Sequence, residues 1–403
     1  MANKGLKGIK TVRELEVTGK VVFLRLDLNV PLEDGKITDE TRIVASLPTV
    51  QYLMEKGAKI VMCSHLGRPK SEADRQFSLE PVAKRMSEHL KSEVILWEDI
   101  ESDGIKALLQ NLKKNQLLLL ENVRFAPGET KDSEELAQVW AGYSDVYVND
   151  AFGASHRAHA SIHALPNVMK EKAIGFLIEK EITMLESLLE NPKRPYLAVL
   201  GGAKVSDKIA VIEKFLDIVD GFIIGGAMAY TFLKAKGHAV GKSLVETDKL
   251  NYARQMIERI EARKKTLLLP VDHIVTTSIS DTKAAHATTD VNIADNELGV
   301  DIGPKTIKSY STALHEAATV FWNGPMGVFE TPEFSKGTFA IAKALAESKG
   351  NKIVGGGDSA AAAEASGYAD KMTHISTGGG ASLEYLQGDR LPGLEILRTK
   401  IRN

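Results

Sequence analysis

The chain has 403 residues, more than a single hydrophobic core usually supports, so two domains are expected. Lys and Arg number 51 against 53 Asp and Glu, a near balance that argues against a nucleic acid or membrane surface recognised through charge alone. One cysteine, Cys63, excludes an intramolecular disulfide framework and a cysteine-based zinc knuckle, and it fits a reducing compartment. No apolar run approaches the roughly 18 residues of a membrane span. The opening "MANKGLKGIKTVREL" has no signal-peptide h-region, so a cytosolic location is expected.

In chain order, the first half alternates short apolar runs with amphipathic stretches. "VVFLRLDLNV" (21–30), "AKIVMCSHLG" (58–67), "QLLLLENVRF" (116–125) and "DVYVNDAFG" (145–153) each begin apolar and end in a polar or charged cluster. Near-continuous apolar runs separated by helix-length segments predict parallel strands buried on both faces. Sites in such sheets form beyond the carboxyl ends of the strands. Those ends carry Asp27 and Asn29, His65 and Arg68, Arg124, then Arg157, while Arg42 lies in "TDETRIV". Each arginine taken singly reads as a surface salt-bridge partner. Several aimed at one cleft suit a small, multiply charged acid, because a guanidinium fork grips carboxylate or phosphate bidentately. His156, His159 and His163 have the spacing i, i+3, i+7 that a helix would align on one face. No carboxylate or cysteine completes a zinc pattern there, and anion-facing or solvated histidines are expected.

From Ile178 to Glu190 the pattern becomes helical, with Ile178, Ile182, Leu185 and Leu189 on one face, and "NPKRP" then stops it. The domain boundary is placed here, with the helix as connector. Beyond it, "YLAVLGGAKVSDKIAVIEKFL", "GFIIGGAMAYTFLKA", "KIVGGGDSAAAAEASG" and "HISTGGGASLEYL" share the form apolar run, glycine pair or triplet, helix, which predicts a second parallel α/β sheet. Glycine lets a backbone turn sharply and approach a ligand, and a helix starting just after it aims N–H groups and its dipole at that space. Tight packing alone explains one such turn; four in one half, two of them triplets, point to phosphate.

The charges beside these turns sharpen the reading. Lys204 and Lys208, four apart at a predicted helix start, repel each other and oppose the dipole unless a polyphosphate lies between them. Otherwise Lys208 reads as part of a solvated face. Asp358 reads either as a helix cap or as the carboxylate that holds Mg2+ against phosphate oxygens. In "ATVFWNGPMGVFE" a strand ends at Asn323 and a carboxylate, Glu330, follows as an acceptor for ribose hydroxyls or as part of a surface turn.

At this point the motifs together carry a resemblance. "LRLDLNVPL", "SHLGRPK", "ENVRF", "VNDAFGASHRAHAS", "LGGAKVSDKI", "FWNGPMGVFE", "GGGDS" and "STGGGASLEYL" follow one another as they do in phosphoglycerate kinases, and the chain resembles that family over nearly its whole length. The resemblance implies two Rossmann-like α/β domains with parallel sheets, joined by a helical hinge. Residues 1–177 would bind 3-phosphoglycerate, 178–195 form hinge helix and linker, 196–387 bind nucleotide, and 388–403 return to the first domain. It implies 3-phosphoglycerate or 1,3-bisphosphoglycerate held by Asp27, Asn29, Arg42, His65, Arg68, Arg124 and Arg157. Mg-ADP or Mg-ATP would lie against Gly201, Gly202, Lys204, Lys208, Asn323, Glu330, Gly356, Gly357, Asp358 and Ser359, with the backbone near Gly299 as a further contact. A monomer is expected. Ser359 stands where many members have Thr, keeping the hydroxyl, and Ser155 where many have Ala.

The expected reaction is reversible phosphoryl transfer between an acyl phosphate and ADP. The acceptor carboxylate is already ionised at neutral pH, so no general base is needed, and catalysis rests on in-line positioning and charge stabilisation. Arg42, Lys204 and the backbone N–H groups of Gly356, Gly357, Gly378, Gly379 and Gly380 are the candidates for that stabilisation, with Mg2+ on Asp358. Two rivals remain at this stage. A dinucleotide oxidoreductase would be expected to show G-x-G-x-x-G with an acidic residue about 20 positions on, a spacing these triplets lack. A non-catalytic nucleotide- or anion-binding protein on the same fold would be expected to lose some of Arg42, Lys204 and Asp358, all of which are present.

Overall fold

The computed structural model describes residues 5–71 and 73–399. The chain divides into two compact units, one holding the residues up to Thr183 with those from Asp389 onward, the other holding Met184–Gly388.

The first unit is built on a six-stranded sheet: β1 (Val21–Leu26), β2 (Lys59–Cys63), β3 (Glu93–Trp97), β4 (Gln116–Leu120), β5 (Val146–Asp150) and β6 (Glu171–Ile174). Their spatial order is β3-β4-β2-β1-β5-β6, and every pairing is parallel. The four predicted runs are the four inner strands, and Phe23, Val61, Leu118 and Val148 on them are fully buried. Two further strands, β3 and β6, lie at the sheet edges. β3 has no fully buried residue, although its "EVILW" is as continuously apolar as the "QLLLL" of β4. Helix α1 (Thr41–Glu55) follows β1 by way of the hairpin Leu32–Glu33/Lys36–Ile37; the Asp39 carboxylate accepts from the Thr41 N–H at 2.8 Å and fixes its first turn. The chain runs away from β1 in opposite directions after β1 and after β4. The loops beyond the carboxyl ends of β1, β2, β4 and β5 therefore converge at the topological switch point.

Helix α2 (Phe176–Leu189) starts two residues earlier than its apolar spacing predicted. Asp150, at the end of β5, is the reason: its carboxylate accepts from the Ile178 N–H at 3.1 Å and so holds the first turn. Burial pushes that carboxyl up to about 7. Ile178, Ile182 and Leu185 are buried as expected, but the last buried position is Leu188 rather than Leu189.

The second unit holds another parallel six-stranded sheet: β7 (Tyr196–Leu200), β8 (Gly221–Ile224), β9 (Thr266–Leu268), β10 (Thr319–Asn323), β11 (Asn351–Val354) and β12 (His374–Ile375). Its order is β9-β8-β7-β10-β11-β12, which places the switch point between β7 and β10. That is the strand order of a dinucleotide-binding domain. Helices α3 (Ile209–Phe215), α4 (Gly357–Ala365) and α5 (Gly380–Gln387) follow the glycine loops after β7, β11 and β12. A small antiparallel sheet of His273–Thr276, His286–Ala287 and Leu298–Ile302 completes the unit.

Candidate functional site

In the first unit, a cavity of about 520 Å³ is lined by Arg68, Lys70, Arg124, Lys131, Arg157 and His159, with no carboxylate on its wall. Like charges this close raise one another's energy, and the effect shows on Arg124. Burial and the neighbouring Arg157 and Arg25 depress its guanidinium to about 10, and its Nε is buried without a hydrogen-bond partner. An incoming anion would relieve both penalties. Asn122, fully buried, places this arginine: its Oδ1 accepts from the Arg124 and Leu66 N–H groups, and its Nδ2 donates to the Leu66 and Phe77 carbonyls. One amide thus ties the loop after β4 to the loop after β2.

The residues beyond β1 form a second cluster. Asp27 pairs with Arg42 at 2.8 Å, and the Asn29 Oδ1 accepts from the Gly67 N–H at 2.8 Å. His65 is buried, and its Nδ1 lies 3.2 Å from Nη2 of Arg25. Burial, then the charges of Arg25, Arg124, Arg42 and Arg157, hold His65 well below the usual histidine range, so the ring is neutral. Behind this layer lies a buried pair that the sequence reading passed over. The Arg25 Nε donates to Ser161 Oγ at 2.8 Å, and Ser161 donates its hydroxyl to Glu129 at 2.7 Å and its N–H at 2.9 Å. The available signal was an arginine within the apolar run "VVFLRL".

The histidine trio does not sit on one helix. His156 and His159 lie in a loop, and the five-residue turn Ala160–Ala164 that carries His163 winds as a π-helix, so the i, i+3, i+7 register has no helix to act on. His156 Nε2 accepts from Arg157, His163 bonds Asp132 at 2.7 Å, and His159 alone of the three reaches the cavity, its ring held down to about 4 chiefly by burial.

In the second unit, three glycine turns interlock at the switch point. The Gly201 N–H donates to the Asn323 carbonyl and the Gly202 N–H to the Pro325 carbonyl, each at 2.9 Å, while the Gly226 N–H reaches Met326 O at 3.0 Å. Gly202, Gly324 and Gly356 have φ of 98°, 102° and 93°, a region closed to ordinary side chains. Asn323 is buried at the centre: its Nδ2 donates to the Gly355 carbonyl and its Oδ1 accepts from Lys208 Nζ. Ser359, also buried, accepts from the Gly324 N–H at 2.6 Å. Asn323 and Ser359 therefore brace the loops, and the surfaces they brace are those of Lys204, Gly357 and Asp358, which are exposed. Lys208 is half-buried rather than part of a solvated face. Burial lowers its ammonium, and Asp207 and Asp358 oppose that shift.

Helix α4 begins at Gly357 and α5 at Gly380, so the N–H groups of each first turn lack intrahelical acceptors. Gly378 differs from its neighbours, since its N–H is given to Ser376 Oγ at 3.2 Å. Gly299 likewise gives its N–H to Ser243 Oγ at 2.9 Å, and Glu330 is exposed. Among the described residues no cluster of His, Cys, Asp or Glu is arranged to hold a metal by itself. A single exposed carboxylate such as Asp358, in the first turn of α4, fits an ion that takes one carboxylate and completes its shell with phosphate oxygens and water.

Comparison with known proteins gives concordant findings. A family model described as phosphoglycerate kinase matches residues 12–389. The chain is 74% identical over 402 residues to the phosphoglycerate kinase of Bdellovibrio bacteriovorus, covering 100% of each, and 51% identical over 393 residues to that of Clostridium botulinum, covering 97% of this chain and 99% of the relative. The solved structure of phosphoglycerate kinase from Coxiella burnetii superposes with a TM-score of 0.87 at 42% identity, covering 96% of this chain and 98% of that one.

Proposed function

The chain belongs to the phosphoglycerate kinase family, enzymes of reversible phosphoryl transfer between 1,3-bisphosphoglycerate and ADP, and from that premise we propose which of its residues serve each substrate. The observation that carries the assignment is the cavity whose wall holds five cationic side chains, Arg68, Lys70, Arg124, Lys131 and Arg157, and no carboxylate. A small acid with both a phosphate and a carboxylate is the ligand that such a wall favours. Asp27, Asn29, Arg42 and His65 complete its surroundings, with Asp27 an acceptor for a substrate hydroxyl. The nucleotide phosphates lie along Gly201, Gly202, Lys204 and Lys208 and against the Gly356–Ser359 loop, near the switch point of the second sheet. Glu330 and the backbone at Gly299 take the nucleoside end.

In the direction of ATP use, a carboxylate oxygen of 3-phosphoglycerate forms a bond to the γ-phosphorus as the bond from that phosphorus to the β,γ-bridging oxygen breaks. No proton moves. Arg42 and Lys204 bear on the negative charge of the group in transit, and the N–H groups of Gly356 and Gly357 at the start of α4 and of Gly379 and Gly380 at the start of α5 are its backbone donors. Mg2+ bound at Asp358 would neutralise phosphate charge and hold the polyphosphate in one conformation. The buried bonds of Asn323 and Ser359 keep the N-terminus of α4 in place without reorganisation during the reaction.

Steady-state kinetics with a coupled reductase that traps the acyl phosphate test the division of labour. Arg124→Ala is expected to raise KM for 3-phosphoglycerate by about 10- to 100-fold, the worth of a charged hydrogen bond, and to leave KM for Mg-ATP within about threefold. Asp358→Asn is expected to do the converse and to raise the Mg2+ concentration needed for half-activity. If both variants alter the same KM, the assignment is wrong.

In-line transfer also requires the reacting oxygen and phosphorus to meet, so the reading includes closure about the 178–195 segment when both substrates are bound. Small-angle scattering is expected to show a smaller radius of gyration with both ligands than with either alone; an unchanged radius would count against closure. The same reading gives a monomeric, cytoplasmic enzyme with small-molecule partners. It is supported by the glycolytic family and by the lone buried cysteine. No helix of the described residues is long and apolar enough to cross a membrane.

A further inference from the structure

Arg25 is the last residue but one of β1, 0% exposed, where a charge is expensive unless it is hydrogen-bonded. Its partners account for all three nitrogens. Nε donates to Ser161 Oγ at 2.8 Å, Nη1 donates to the Leu26 carbonyl, and Nη2 lies 3.2 Å from His65 Nδ1. A guanidinium has five N–H donors and no acceptor. The direction of the last bond is therefore fixed: His65 Nδ1 accepts, and it carries no proton.

We propose that Arg25 is a positioning residue of the anion site, locking His65 as the neutral tautomer whose proton sits on Nε2. The donor it creates is uncharged and fixed in orientation. Imidazolium would place an N–H of the ring against a guanidinium N–H, so protonation costs a hydrogen bond as well as a desolvation penalty. The charges that bear on the ring come from every side: Arg25 from β1, Arg42 from α1, Arg124 from the loop after β4 and Arg157 from the loop after β5. All are cations, and all oppose a positive ring.

Arg25 is itself held. The Ser161 hydroxyl has one proton, which goes to Glu129 Oε1 at 2.7 Å, so its lone pair is left to accept from Arg25 Nε. Glu129, 0% exposed, also takes the Ser161 N–H at 2.9 Å, and the Tyr147 hydroxyl pins the Ser161 carbonyl at 2.8 Å. The chain of bonds from Glu129 through Ser161 and Arg25 to His65 thus has a single consistent direction. The buried carboxylate supplies the countercharge for the buried arginine, and the arginine spends one donor on the histidine.

The part of this inference that concerns binding rests on His65 facing 3-phosphoglycerate; the tautomer does not. The first measurement is a long-range 15N–1H correlation spectrum of the histidine rings in the intact protein from about pH 5 to 8, with His65 assigned through His65→Gln. An Nε2–H pattern without titration is the expected result. An Nδ1–H pattern, or a midpoint near the ordinary value of about 6.5, in the parent protein would overturn the proposal. The second measurement uses Arg25→Lys, which keeps the charge beside Glu129 but cannot bridge Ser161 and His65 together. His65 is expected to become a titrating tautomer mixture, and KM for 3-phosphoglycerate to rise roughly tenfold with kcat within about twofold. It is also expected to gain a pH dependence that the parent enzyme lacks. A folded variant with an unchanged ring spectrum and pH profile would reduce Arg25 to a packing role and overturn the proposal. If His65→Gln leaves KM unchanged, the placement of substrate at His65 fails, while the tautomer result stands on its own.

Discussion

Replacing Arg42 with alanine is expected to lower kcat by about 10²- to 10³-fold, the usual cost of deleting one preorganised charge donor at a transition state, with the fold unchanged. Arg42 is the second residue of α1, where a cation faces the positive end of the helix dipole and is disfavoured by about 0.3–1 kcal/mol. Its guanidinium is 31% exposed, so deletion leaves no buried cavity. It pairs with Asp27, 2.8 Å away and mostly buried. Without Arg42, that carboxylate turns an uncompensated negative charge toward an anionic substrate, so KM for 3-phosphoglycerate should rise as well. Arg42→Lys is expected to recover only part of the loss, because an ammonium does not reproduce the planar fork. Turnover of Arg42→Ala within about threefold of the parent, with circular dichroism unchanged, would remove Arg42 from the transition state.

The second large effect is expected from Gly201→Ala. A Cβ there would stand 2.1 Å from the Pro325 carbonyl oxygen and 2.7 Å from that of Gly324, both of them backbone. The end of β7 cannot retreat without breaking the 2.9 Å bonds from Gly201 to Asn323 and from Gly202 to Pro325. Overpacking of this kind costs about 1–3 kcal/mol, or a fall in Tm of roughly 2–12 °C for a unit of this size. Because Asn323 also braces Lys208 and the Gly355 carbonyl, the displacement should reach the phosphate site and raise KM for Mg-ATP more than tenfold. Two neighbours calibrate the result. Gly202→Ala meets nothing within 4 Å and bears only the strain of φ 98°, while Gly357→Ala meets nothing and has no such strain. The expected order of damage is Gly201, then Gly202, then Gly357. Equal thermal stabilities, measured by calorimetry, would show that the loops are not interlocked as described.

Much of this was legible before any coordinates. The four inner strands of the first sheet were readable because a parallel strand buried on both faces must be apolar at consecutive positions, as "QLLLL" is. Of the edge strands, Glu171–Ile174 was not, since "EKAI" holds only two apolar residues, whereas Glu93–Trp97, "EVILW", is as apolar as "QLLLL" and was passed over although readable. The glycine turns were readable because positive φ and close backbone approach leave few other residue types. What Asn323 and Ser359 do was not readable, because a polar residue at a strand end looks the same whether it faces ligand or loop. The histidine spacing misled for a similar reason: a periodicity has meaning only where a regular helix exists to express it.

The sequence alone determined the family, the two parallel α/β sheets and the set of charged residues at the strand ends, because those depend on local composition and on motifs written in contiguous residues. Only the tertiary structure decided which charges share a wall, that Lys208 turns inward, and that Arg25 lies buried between His65 and Ser161. These contacts join residues far apart in the chain, 115 positions from Lys208 to Asn323 and 136 from Arg25 to Ser161. No local pattern encodes such pairs, because strand order in the sheets is what brings them within hydrogen-bonding distance.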